Sequence, residues 1–174
     1  MNRTHAIPSI VLLALALTGL AIGGTARAAD SPLADVARKA ASGYLSIASA
    51  LSDDEAPPTQ AMADVVEQAS QAPKLTKGLA PEQAKELASA AADLEKAGKS
   101  MQADRDLATW RTHLRDLTGA VDRFARLANG GALPPELNEF HCPMANANWL
   151  QSGTAPANPY FGKAMRACGT RVRG

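Results

Sequence analysis

The strongest constraint on the fold is a regular run of apolar residues between about Asp104 and Ala128. Its large side chains recur at alternating separations of three and four residues: Leu107, Trp110, Leu114, Leu117, Val121, Phe124 and Ala128. This spacing places them along one stripe of an α-helix, of the kind that packs against other helices in a left-handed bundle. Asn129-Gly130-Gly131 then supplies residues that commonly end a helix. The run therefore predicts a long helix with helical partners on its apolar side.

Three more helices are predicted upstream. The first begins at Ser31-Pro32, an N-cap residue followed by proline at the first helical position, and ends near Asp53. The second covers about residues 59–72 and the third about residues 82–99. Gly43 is expected to let a neighbouring helix approach the first one closely. Four helices with short connections, in a chain with only 4% aromatic residues, predict an all-α fold, most simply an up-down four-helix bundle.

The composition changes after Gly131. The run from Ala145 to Ala157 carries little periodicity, and Asn158-Pro159 is expected to cap a short fifth helix that ends at Gly169. Three side chains are expected to share one face of that helix: Phe161, Met165 and Cys168. We therefore predict a single domain at residues 29–174, with the bundle at 29–130 and a Cys/Met-containing segment at 131–174 packed on it.

The N-terminus has the composition of a secretory signal peptide. Arg3 gives a cationic start, and Ile10 to Ile22 is an apolar run too short to span a membrane comfortably. Ala26 and Ala28 are the small residues that a signal peptidase requires. We therefore predict residues 1–28 as a signal peptide, with export to the periplasm and no membrane insertion after cleavage.

The charge balance of the predicted mature chain indicates no polyanionic partner. Removing Arg3 and Arg27 leaves 16 basic residues against 17 acidic ones, a net charge of −1 with neutral histidines. A near-neutral balance does not favour binding to nucleic acid or to an anionic membrane surface.

Both cysteines lie in the C-terminal segment together with two of the five methionines. Thiolate and thioether are soft donors that suit Cu(I) and similar ions. Cys142 and Met144 flank Pro143, which restricts the backbone, and Met165 and Cys168 are three residues apart on the predicted helix. The four sulfur atoms could converge if that helix folds back on the Cys142 loop. The candidate metal ligands are Cys142, Met144, Met165 and Cys168, with His141 as an optional fifth.

A disulfide between Cys142 and Cys168 is the alternative. An exported protein with two cysteines usually oxidises them, and this bond would close a loop of roughly 27 residues, worth about 3.5 kcal/mol. On composition alone the disulfide is favoured over a metal site. Zinc is disfavoured, because a structural zinc site normally takes four Cys or His ligands and only three lie in this segment.

No motif in the sequence predicts an enzyme. His141 and Cys142 are consecutive, so their side chains seldom reach one another, and no third residue to orient a reactive thiol is evident. The sequence also lacks a Gly-rich phosphate loop, a metal-hydrolase helix motif and a Cys-x-x-Cys pair. We therefore predict no catalytic residues and no organic cofactor.

The C-terminal motif resembles a family of bacterial periplasmic domains of unknown function. The residues that carry the resemblance are Cys142-Pro143-Met144-Ala145, Trp149-Leu150, Asn158-Pro159-Tyr160-Phe161-Gly162-Lys163 and Met165-x-x-Cys168-Gly169. Tyr44-Leu45-x-Ile47-x-x-Ala50-Leu51-x-x-Asp54 is similar to the start of that family. Its members occur alone behind a signal peptide or fused to periplasmic adaptor subunits of Cus-type copper and silver efflux pumps.

The resemblance implies a helical periplasmic domain associated with heavy-metal handling, with the Cys/Met block as its metal-responsive part. It favours binding of Cu(I) or Ag(I), and it makes a heavy-metal efflux adaptor or another periplasmic protein the expected partner. The competing hypothesis is a disulfide-stapled interaction module without metal, which docks on an envelope or efflux partner through a face near Trp149, Tyr160 and Phe161.

Overall fold

The computed structural model describes residues 31–173. Four helices come first: α1 Pro32–Ser52, α2 Thr59–Gln71, α3 Pro81–Ala103 and α4 Leu107–Ala128. Three strands follow: β1 Asn138–Cys142, β2 Ala147–Gln151 and β3 Thr170–Arg173. Short 3₁₀ segments lie at Ala72–Leu75 and Gly162–Met165. The predicted signal peptide, residues 1–28, lies outside the described residues.

The helix boundaries follow from local capping. At the start of α1, the Ser31 hydroxyl accepts a hydrogen bond from the Ala34 amide at 3.1 Å, which confirms the predicted cap. At the start of α4, the Asp106 carboxylate accepts from the amides of Ala108 and Thr109 at 3.1 and 3.0 Å. The predicted start at Asp104 was therefore too early. Helix α3 runs past the predicted end at Lys99, and its last turn includes the fully buried Met101.

The four helices pack as a ring of neighbours. Helix α1 contacts α2, α2 contacts α3, α3 contacts α4, and α4 contacts α1. The prediction for Gly43 is confirmed, because a Cβ at this position would lie 2.8 Å from the carbonyl oxygen of Ala61 and 2.9 Å from a methyl carbon of Val65 on α2. Only a residue without a side chain permits that helix separation.

The prediction of an all-α fold is wrong, because the protein is mostly helical with a small antiparallel sheet. The strand order is β2-β1-β3, with Phe140 paired to Trp149 on one side and to Arg171 on the other. Strand β1 gave no alternating pattern because the consecutive residues Asn138, Glu139 and Phe140 are all buried. Strand β2 contacts α1 and α4, which places the sheet against the helices.

The predicted fifth helix is also wrong. Between Asn158 and Gly169 the chain forms only the 3₁₀ segment Gly162–Met165, and Gly162 begins it with a left-handed φ of 58° that an α-helix cannot accommodate. After Gly169, residues Thr170–Arg173 form β3 along β1. Met165 and Cys168 are therefore not on one α-helical face.

A buried polar joint links the helices to the sheet. The Tyr44 hydroxyl on α1 lies 2.9 Å from Thr118 Oγ1 on α4 and accepts a hydrogen bond from the Leu150 amide on β2 at 3.1 Å. The Tyr160 hydroxyl donates to the carbonyl of Asn148, which is also on β2, at 2.5 Å. One hydrophobic cluster includes buried residues from both the helices and the sheet.

Candidate functional site

The two cysteines lie at the same end of the sheet, one at the end of β1 and the other just before β3. Cys142 is the last residue of β1, and Cys168 lies two residues before β3. His141 pairs with Thr170, and Cys142 comes one residue after His141 while Cys168 comes two residues before Thr170, so in this antiparallel pair both lie beyond the same end of the pairing. Cys142 is fully buried and Cys168 is half-buried, and both are free thiols. The antiparallel pairing of β1 with β3 thus makes the two thiols neighbours.

The environment of Cys168 keeps its thiol protonated. Burial is the main cause of its raised pKa, and electrostatic and hydrogen-bonding interactions with Cys142 raise the pKa further. The register of β1 and β3, which places both cysteines at the same end of the sheet, accounts for these interactions. A metal ion that binds this thiol must therefore displace its proton.

Cys142 opens a tight turn that also presents Met144. The Ala145 amide donates a hydrogen bond to Cys142 Sγ at 3.4 Å, and Asn146 takes a left-handed φ of 46° before β2 begins. Met144 lies at the tip of this turn with 62% of its surface exposed, which is unusual for a large apolar side chain. The turn therefore places a thioether in solvent, two residues from a buried thiol.

Cys168 is positioned by a close contact with the sheet. Its amide donates to the Met165 carbonyl at 2.9 Å, which closes a turn after the 3₁₀ segment. Gly169 then adopts a φ of 138°, and a Cβ at that position would overlap the ring of Trp149. Glycine is thus required to bring Cys168 across the Trp149 side chain to the end of β1. Met165 is half-buried beside this turn.

The segment before Cys168 is attached to the helices by an ion pair. Arg111 on α4 donates to Asp54 Oδ1 at 2.5 Å, to the Leu51 carbonyl at 2.8 Å and to the Pro159 carbonyl at 3.0 Å. The other Asp54 oxygen accepts from the Lys163 amide at 3.2 Å. The hydrogen bond from Arg111 is the main cause of the lowered pKa of the Asp54 carboxyl. The sequence carries no local signal for this pair, since the two residues lie 57 positions apart.

His141 does not point in the same direction as Cys142. Consecutive strand residues project to opposite faces of a sheet. On its own face, His141 Nδ1 lies 2.7 Å from Asn148 Oδ1, and Asn148 Nδ2 donates to the buried Glu139 carboxylate at 2.7 Å. This carboxylate lies 3.5 Å from Arg126 on α4. His141 thus belongs to a polar network that faces away from the thiols.

The donors at the thiol pair suit a soft ion. Among residues 31–173, no group of three or more His, Cys, Asp or Glu side chains could hold a metal ion. A metal at this site would therefore depend on the two thiols and on thioethers, a donor set that fits Cu(I) or Ag(I) and not zinc. The structure brings the two cysteines together and places one methionine near each of them along the chain.

Residues considered for a docking face prove to be interior. Trp149 is fully buried and stacks on Phe140 with ring centroids 5.2 Å apart, and Tyr160 is only 9% exposed. Burial raises the pKa of Tyr160 to about 12. Phe161 is half-buried. These aromatic side chains therefore build the core beneath the thiol pair.

Comparison of the chain with protein-family models, with curated proteins and with solved structures finds no match. Within residues 31–173, none of the helices has the length and apolar character needed to cross a bilayer.

Proposed function

We propose that the protein binds a soft monovalent ion, Cu(I) or Ag(I), through Cys142 and Cys168. The observation that supports this proposal is the register of β1 and β3, which brings the two cysteines to the same end of the sheet, with the solvent-exposed Met144 two residues along the chain from Cys142. In this proposal the cysteines supply the charged ligands. Met144 and Met165 supply thioethers that tune affinity and exchange, since thioethers bind soft ions without a proton to lose. His141 is left out, because it faces the opposite side of the sheet.

The surroundings of the thiol pair are compatible with an anionic complex. Two thiolates and one monovalent cation carry a net charge of −1. The sequence after Glu139 contains no acidic residue and four basic ones: Lys163, Arg166, Arg171 and Arg173. The segment that carries the two thiols therefore contributes no carboxylate that would repel an anionic complex.

The proposed setting is the periplasm, in heavy-metal homeostasis. The predicted signal peptide and the resemblance to periplasmic domains fused to efflux adaptors support this setting. In it, the protein passes its ion to an efflux adaptor or to another periplasmic protein. The exposed Met144 is the donor that such a partner would meet first.

Methionine-to-leucine variants test the thioether role. Met144→Leu combined with Met165→Leu preserves side-chain volume and should leave folding nearly intact, while Cu(I) affinity falls. Affinity is measured by competition with a chromogenic Cu(I) chelator under reducing conditions. Met62→Leu is the matched control, because Met62 is a buried core residue of α2. Equal affinity in the double variant would remove the thioethers from the site, and absence of Cu(I) binding by the wild type would refute the function.

The pH dependence of binding tests the role of the thiols. Since the pKa of Cys168 is raised, its thiol is protonated at neutral pH, and Cu(I) must displace that proton. Affinity should therefore rise with pH and level off once the thiols of the metal-free protein have lost their protons. Between about pH 6 and 7.5 the increase is about 100-fold per pH unit if two protons are displaced and about tenfold if one is. A pH-independent affinity would exclude thiolate ligation.

A structural disulfide is the second candidate, and the same adjacency of the thiols favours it. Its predicted docking face is not supported, because Trp149 and Tyr160 are buried. Mass spectrometry of protein taken from its native compartment, alkylated immediately, separates the two candidates. Thiols that become copper-loaded when copper is added to the growth medium favour the metal site. A complete Cys142–Cys168 disulfide that copper leaves unchanged favours the staple, whose removal should cost about 3.5 kcal/mol.

A further inference from the structure

Asn158 is a fully buried polar residue in the segment that carries Cys168. A buried amide side chain is tolerated only when its donors and acceptors are satisfied. Its Oδ1 accepts from the Tyr160 amide at 2.9 Å, which shapes the turn after Pro159. Its Nδ2 donates to the Cys168 carbonyl at 2.8 Å. One side chain therefore joins the beginning of the segment to its end.

The backbone of Asn158 repeats this connection. Its amide donates to the Arg166 carbonyl at 2.8 Å, and its carbonyl accepts from the Gly162 amide at 3.2 Å. The nine residues between Asn158 and Cys168 are thus folded into a closed loop with Asn158 at its base. Within that loop, the carbonyl of Cys168 is held by a side chain rather than by a regular element.

The closed loop is in turn fixed to the end of α1. Arg111 holds the Pro159 carbonyl and Asp54, while Asp54 holds the Lys163 amide. Arg166 donates to the Ser52 carbonyl at 3.1 Å and is paired with Asp53. The loop therefore has a fixed anchor on the helices, and Asn158 connects that anchor to the backbone of Cys168.

We propose that Asn158 is the positioning residue for Cys168 and that its side-chain amide sets the geometry of the thiol pair. For metal binding this inference rests on the proposed function, but for the pairing of the two thiols it stands independently. Loss of the bond from Asn158 Nδ2 removes the hydrogen bond that fixes the Cys168 carbonyl, so the backbone of Cys168 gains freedom relative to Cys142. The turn at Met165 and the contact of Gly169 with Trp149 remain. The probability that both sulfur atoms are within reach of one ion, or of each other, then falls.

Two substitutions isolate this bond. Asn158→Asp keeps the acceptor for the Tyr160 amide but places a carboxylate oxygen against the Cys168 carbonyl. Asn158→Ser keeps a short turn-capping oxygen, which cannot reach Cys168. The matched control is Asn138→Asp, because Asn138 is also a buried asparagine whose amide donates to backbone carbonyls, those of Ser152 and Gly153 at the far end of the hairpin.

The experiment measures two equilibria on each folded protein. The first is the Cys142–Cys168 disulfide equilibrium of metal-free protein in glutathione buffers, quantified by alkylation and mass spectrometry. The second is Cu(I) affinity by chelator competition. Both should fall by about tenfold in the Asn158 variants, the value of one ordinary hydrogen bond, while Asn138→Asp changes stability but neither equilibrium.

Each outcome bears on the proposal. Values within about twofold of wild type in a folded Asn158 variant would overturn it, as would an equal fall in Asn138→Asp. If neither Asn158 variant folds, Asn158 has only a structural role, and the proposal is also overturned. If wild-type protein fails to bind Cu(I), the proposed function is refuted, yet the glutathione equilibrium still decides whether Asn158 positions Cys168.

Discussion

The molecule has two parts that are stabilised in different ways. The helical part consists of α1–α4. The sheet part consists of β1–β3 with the loop from Asn158 to Cys168. Alanine fills much of the helix interfaces, which allows close approach, as at Gly43 against α2. In the sheet part, two large aromatic rings form the interior, Phe140 and Trp149. The irregular chain around these rings is held by individual side-chain hydrogen bonds such as those of Asn158 and Arg111.

This difference explains why the two thiols lie in the sheet part. The backbone groups of a helix form hydrogen bonds with one another, so its side chains contribute mainly to packing. An irregular loop must satisfy its backbone groups with particular side chains, and those bonds then hold neighbouring residues in fixed positions. Such bonds fix the position of Cys168, because it lies in a loop closed by Asn158 and the chain passes over Trp149 at Gly169.

The largest effect is expected from Trp149→Ala. Trp149 is fully buried, stacks on Phe140 and lies beneath Gly169, so its removal leaves a large cavity in the sheet part. We expect a loss of about 3–5 kcal/mol in the free energy of unfolding, measured by urea denaturation. If the two parts share one core, the loss appears in the unfolding of the helices as well.

The tryptophan positions allow that coupling to be measured. In Trp149→Ala the remaining tryptophan is Trp110 on α4, and in Trp110→Phe it is Trp149 on β2. Fluorescence then reports one part at a time, and circular dichroism reports the helices. Because one hydrophobic cluster spans both parts, the transitions should coincide. Separate midpoints would show that the two parts unfold independently.

The fold of the helical part was largely predictable, and that of the sheet part was not. The periodic run that ends at Ala128 and the cap at Ser31 are local signals, and the structure has helices at these places. The strands carry no equivalent signal, since β1 is buried on both faces and includes the buried Glu139. The motif Asn158-Pro159 predicted a helix start but caps a turn, because Gly162 and the bond to Cys168 redirect the chain.

The next largest effect is expected at the joint between the two parts. Tyr44→Phe removes the hydroxyl that pairs with Thr118 and accepts from the Leu150 amide. The buried amide loses its partner, so we expect destabilisation by about 1–3 kcal/mol in the same urea assay. Thr118→Ala is the comparison, since it removes the acceptor of the Tyr44 hydroxyl proton and leaves the Leu150 amide satisfied. No measurable loss in Tyr44→Phe would contradict this account of the hydrogen bonds between the helices and the sheet.

At the candidate site, the two cysteines were predictable from the sequence, but the residues that position them were not. Sequence analysis selected Cys142 and Cys168 because soft donors are scarce elsewhere, and the structure makes these two thiols neighbours. The expected route, a helix that presents Met165 and Cys168 together, is wrong. The residues that hold the loop, Asn158 and Arg111, act over long sequence separations through backbone groups, and such contacts leave no local pattern.

The smallest expected effects come from two glycines of the helical part. Gly43→Ala gains helix propensity, but its Cβ would lie within 3 Å of Ala61 and Val65, so α2 must move and the net result is a loss of about 1 kcal/mol or more. Gly119→Ala, on α4, meets no atom within 4 Å and should stabilise the protein by about 0.5–1 kcal/mol. Thermal unfolding of the two variants measures both values. Opposite signs are required if close packing of small residues holds the helices together, and stabilisation by both would mean that the α1–α2 interface is loose enough to accept a methyl group.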